Sequence, residues 1–126
     1  MTLKLLAALC VSGAAGVLAR YWVDGAISTR TSGSFPWGTL AINLSGSFLL
    51  GFLFTLMAER TAAPAWLRMG LTFGFLGAYT TFSTLSLETL RLLEARQLVP
   101  ALANSAGSLV LGVFAAYLGV MLARVG

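Results

Sequence analysis

The chain has 126 residues, of which 58% are hydrophobic and 10% charged, with a mean hydropathy of +0.89 and a formal net charge of +4. A soluble domain carries about 45–50% apolar and about 25% charged residues, so this is the composition of a membrane protein. The basic residues stand singly between apolar runs, which argues against the basic face of a nucleic-acid binder and suits anchoring at membrane interfaces.

A membrane helix needs roughly 20 mostly apolar residues, and four segments qualify, at about residues 3–21, 37–57, 66–90 and 98–123. The expected fold is an all-α membrane protein, one four-helix transmembrane domain over residues 1–126. In the first segment, Lys4 and the run LLAALCV resemble a signal peptide, but the apolar stretch continues to Tyr21 and Trp22 without a convincing cleavage site. A retained helix is expected. Cys10 is the single cysteine and there is no histidine, so neither an intrachain disulfide nor a soft metal cluster is available. The polar loop ISTRTSGSFP (27–36) leads into the second segment, and Pro36, Pro64 and Pro100 sit at or near helix starts, where a missing N–H costs least.

The second segment carries Thr39, Asn43, Ser47, Gly51 and Thr55 in steps of four, which places them on one slowly drifting helix face. A carboxamide in hydrocarbon is costly unless bonded. Asn43 therefore acts either as hydrogen-bonding glue between helices or as lining of a wet path. The third segment contains GFLGAYTTFSTLSLE (74–88), in which Gly77 and two β-branched threonines fall near the middle of an apolar run. Glycine weakens a helix and threonine bonds backward to carbonyls, so a break is expected here. Free carbonyls at bilayer depth must be buried in protein or line a cavity. Two readings follow: a notch for a crossing helix, or a small cation site made of carbonyls, completed by a second copy. The fourth segment repeats the polar device with Asn104, Ser108 and Gly112. Ser12/Gly16, Ser47/Gly51, Gly70/Gly74 and Ser108/Gly112 supply close-packing small pairs on every segment.

Four spans put Lys4, Arg60, Arg68 and Arg124 on one side and Arg20, Arg30, Arg91 and Arg96 on the other, four against four. The positive-inside rule orients a chain only through a bias, so this balance suggests insertion in both directions and an antiparallel dimer. An arginine too deep to count would leave a single orientation instead.

Amide and hydroxyl donors on three segments suit an anion, because neutral donors solvate it and still release it. An aromatic ring is positive at its edge, so Phe82 could meet an anion edge-on, or could simply pack. No segment apart from the Glu88 region offers a titrating group at depth, which a proton-coupled carrier needs.

The segments GFLGAYTTFSTLSLE, WGTLAINLSGSFLLG (37–51) and GVLAR (16–20), in this order and over nearly the whole chain, resemble the Fluc/CrcB fluoride channels. The resemblance implies a passive, fluoride-specific channel, not an enzyme, that lowers cytoplasmic fluoride from the cell membrane. It implies an antiparallel, dual-topology homodimer in the lipid bilayer with two pathways, and no nucleic-acid partner. It places Asn43, Phe82 and Ser108 on the fluoride pathway with Thr39 in support, and Ser83, Thr84 and Glu88 on a polar track. Arg20 falls on the family's basic position at the vestibule edge. The carbonyls of Gly77 and Thr80 match those that hold a structural, untransported sodium ion. Two positions depart from the pattern: Leu85 stands where a second Phe is frequent, and Asn104 where Tyr is frequent. Asn104 could donate in place of the tyrosine hydroxyl. The competing expectation is a small multidrug-resistance-type proton-coupled exporter, but this chain has no carboxylate in its first segment before Asp24. A purely structural subunit would not need aligned polar stripes.

Overall fold

The computed structural model describes residues 1–125, and among them every regular element is a helix. α1 spans Leu3–Ser28 and α2 spans Trp37–Glu59. The third region is α3 (Ala65–Met69), a π-helical stretch (Gly70–Leu76), α4 (Gly77–Tyr79) and α5 (Phe82–Glu94). The fourth is α6 (Leu98–Leu102), a second π-helical stretch (Ala103–Gly107) and α7 (Ser108–Arg124). Three continuous helices, Leu3–Ser28, Trp37–Glu59 and Leu98–Arg124, are long and apolar enough to cross a membrane.

α1 runs beyond the expected end at Tyr21 to Ser28. It stops where side chains take over the last carbonyls: Thr29 and Arg30 both donate to Ala26 O, and Thr31 donates to Ile27 O. At the other end Thr2 caps the helix by accepting from Leu5 N at 3.1 Å.

Two helix pairs organise the chain. Successive contacts advance in step, Ala8 with Gly70, Ser12 with Gly74, Gly16 with Phe75 and Ala78, so α1 runs parallel to the third region. Lys4 lies over the Trp66 ring at 5.4 Å, which ties the two starts together. Ser47 with Gly112, Gly51 with Ala116 and Glu59 with Arg124 likewise make α2 and α7 parallel. The small-residue pairs are thus spent on close approach: an added Cβ on Gly51 or Gly119 would overlap the partner backbone. Ile42, Leu76 and Tyr79 form the apolar core between the pairs.

Candidate functional site

Within the expected stretch from Gly77 to Thr81, the break lies at Thr80 and Thr81. Gly77 keeps helical angles (φ −62°, ψ −36°), whereas Thr80 (φ −81°, ψ 159°) and Thr81 (φ −150°, ψ 114°) are extended. The cause is a set of diverted hydrogen bonds. In a continuous helix the N–H of Thr81 would bond Gly77 O and that of Thr84 would bond Thr80 O. Here Thr81 N donates to Asn43 Oδ1 at 2.8 Å, and Thr84 N donates to Thr81 Oγ1 at 3.2 Å. Asn43 Nδ2 returns a bond to Thr81 O at 3.1 Å. Asn43 is therefore a two-point clamp on the extended backbone, and Thr81 is the N-cap of α5. Tyr79, buried behind the break, shares a 3.0 Å hydrogen bond with Ser45 Oγ. Gly77 O and Thr80 O are left without their helical donors.

An open groove of about 970 Å³ lies along this break. It brings together Asn43, Gly77, Thr80, Phe82, Leu85 and Ser108. Phe82 is 81% exposed, and Ser108 Oγ is buried without a hydrogen-bond partner. A second cavity of about 230 Å³ gathers Arg20, Asp24, Thr39, Thr84 and Glu88. Thr81 lines both and is the wall they share. Thr39 donates to Glu88 Oε2 at 3.0 Å, and Glu88 Oε1 is buried with no partner. Glu88 forms no ion pair with Arg20 or Arg91, whereas Arg124 pairs with Glu59 at 2.9 Å.

Two expected site residues stand apart from both cavities. Ser83 is exposed in the first turn of α5, 3.5 Å from Thr81 Oγ1. Asn104 is fully buried, and its Nδ2 donates to Thr89 Oγ1 at 3.0 Å while its Oδ1 has no partner. Its amide braces the fourth region against α5. Tyr79, Asp24 and Thr89 were missed as site neighbours. Only the i, i+4 spacing of Arg20 and Asp24 hinted at one of them.

Apolar helices with bonded polar groups gathered at an interrupted helix define a multi-pass membrane protein. Residues 7–120 match the family described as CrcB-like protein, Camphor Resistance (CrcB), and the chain belongs to that family. It is 44% identical over 119 residues to a fluoride-specific ion channel FluC of Magnetococcus marinus, covering 94% of this chain and 97% of that protein. It is 50% identical over 123 residues to a fluoride-specific ion channel FluC 2 of Mycolicibacterium paratuberculosis, covering 98% and 97%. A FluC of Methylococcus capsulatus is 50% identical over 119 residues, which is 94% of this chain and 52% of that protein, so the chain spans about half the length of this relative.

Proposed function

We propose that the chain is a fluoride channel of the cell membrane that lets fluoride leave passively and lowers its cytoplasmic level. The observation that carries the reading is the groove: it is lined by Asn43, by the exposed Phe82 and by Ser108, whose buried hydroxyl has no partner within the chain. The names of the relatives supply the ion. Neutral donors replace part of the hydration shell and let the ion go again. A proton-coupled exporter is disfavoured because no carboxylate precedes Asp24 in α1.

The finer architecture is part of the proposal. The third region is a broken fourth span, and the chain forms one transmembrane domain. The working unit is an antiparallel homodimer of dual topology with two pathways. The groove supports this, since free carbonyls and hydroxyls facing lipid would each cost several kcal/mol, and a second copy would cover them. Balanced Lys and Arg counts permit either insertion. Gly77 faces open space, where an added Cβ would meet only Thr72 O at 3.7 Å, so its smallness serves something outside its own chain.

The donor set at the break fits a small alkali cation. Gly77 O and Thr80 O are hard oxygen ligands released from helical bonding, and among the described residues no cluster of three His, Cys, Asp or Glu offers a rival site. A sodium ion held there with the partner's equivalents would supply fixed positive charge at the dimer centre and would not be transported. In the pathway, Asn43 orients the break, Phe82 and Ser108 meet the ion, and Leu85 supplies a wall without a second ring edge. Ser83, Thr84, Thr39 and Glu88 continue the polar track, Arg20 marks the vestibule, and Asn104 acts through Thr89 on α5.

The test is efflux from liposomes holding the purified protein, read with fluoride and chloride electrodes side by side. Fast fluoride release without chloride release is the expected result. Retention of both ions by the wild type and by Leu85→Phe would overturn the reading.

A further inference from the structure

Asp24 is a carboxylate in the same small cavity as Arg20 and one helical turn from it. Residues at i and i+4 are neighbours on a helix surface, yet no ion pair joins these two. The reason is on α2. Asp24 is turned toward Gly38, and an added Cβ there would overlap Asp24 Oδ1 and come within 3.2 Å of Cγ. The Asp24 backbone is not in the way, with its Cα at 3.4 Å. The lack of a Cβ at Gly38 is therefore what admits the carboxylate. The location also suits an anion electrostatically: Gly38 lies in the first turn of α2, whose N-cap, Pro36, makes no side-chain cap bond. Uncapped N–H groups and the helix dipole favour negative charge at that end.

We propose that Gly38 is a positioning residue that parks Asp24 on the start of α2 and so keeps it off Arg20, leaving the guanidinium available to an anion at the mouth of the smaller cavity. The part that concerns flux rests on the vestibule reading of Arg20. Glu88, on α5 across the cavity, accepts from Thr39 through Oε2 and forms no ion pair with the guanidinium. In a Gly38→Ala protein the Asp24 side chain must rotate, and the neighbour it finds one turn back is Arg20. A paired Arg20 no longer attracts anions.

Two readouts test this on purified protein in liposomes: fluoride efflux, and the rate at which glyoxal modifies Arg20, followed by peptide mass spectrometry. Wild type, G38A, D24N, G38A/D24N and R20Q are compared. G38A is expected to slow efflux about three- to tenfold at low ionic strength, less at high salt, because surface attraction is screened. Its Arg20 is expected to react more slowly with glyoxal. In G38A/D24N both values return to those of D24N alone, since Asn has the shape of Asp without its charge. A G38A protein unchanged in both readouts, or a double variant not restored in glyoxal reactivity or folded yield, would overturn the proposal. R20Q with wild-type efflux would remove the vestibule role of Arg20, while the glyoxal comparison would still decide whether Gly38 holds Asp24 away from it.

Discussion

The α2–α7 pair and the break at Thr80–Thr81 are held by different physics. α2 and α7 meet through bare backbone: Gly51 lies on Ala116, and Gly119 lies on Phe48 and Phe52. Their side chains face outward as Phe54, Val113, Phe114 and Leu118, all exposed. In lipid there is little hydrophobic gain between helices, so close packing carries such a pair. The break is the reverse. There Asn43, Thr81, Thr84, Ser45 and Tyr79 satisfy one another across helices, and two carbonyls are released. One region is made rigid by the absence of side chains. The other is shaped by a few polar ones.

The largest expected effect is on the packed side. Gly119→Leu forces a side chain into the Phe48 carbonyl, and Phe52 N would lie only 2.8 Å from its Cβ. Such a clash against backbone costs about 3 kcal/mol or more, and a loss of folded protein on size-exclusion chromatography in detergent is expected. If Gly119→Leu folded normally, close packing would not be what holds the α2–α7 pair. Next comes Asn43→Ala, which strips Thr81 of both partners. Each unmet buried backbone group costs about 1–3 kcal/mol, and fluoride efflux is expected to fall at least about tenfold, with faster hydrogen exchange at Thr81. Unaltered exchange there would show that the clamp does not set the break.

Thr81→Val removes the cap on α5, at a cost of about 1 kcal/mol, while Thr81→Ser keeps the accepting oxygen. Thermal unfolding should rank wild type and Ser together above Val. At the bottom of the scale is Arg124→Gln, which breaks an ion pair whose side chains are 53% and 46% exposed. Exposed pairs contribute little, so its thermal midpoint should coincide with wild type at moderate salt. A clear drop would mean that the end of the α2–α7 pair depends on charge as well as packing.

The polar positions were legible in the sequence because a hydroxyl or amide is conspicuous against an apolar background. Asn43, Thr80, Phe82 and Ser108 all reach one groove. The break is legible as well, in Gly77 and the two threonines together, but propensity alone does not say which of these positions leaves the helix. Gly77 stays helical because its own N–H is bonded within the helix, to Gly74 O and Thr72 O. The chain leaves the helix three residues later, where Asn43 takes the next amide. Asn104 stood out as polar, yet nothing in its neighbours announced Thr89, 15 positions away, as the group it bonds.

The sequence by itself determined that this chain lives in a membrane, where its apolar runs lie, and which residues are chemically unusual there. Those properties depend on composition and on periodicity within one helix. Only the tertiary structure decided how the unusual residues are used. Asn43 and Thr81 are 38 positions apart, and Thr39 and Glu88 are 49 apart. Which of them meet depends on how glycine-lined helix faces come into register. That register splits the polar residues into two cavities with Thr81 between them, and it sets the Asp24 carboxylate against Gly38.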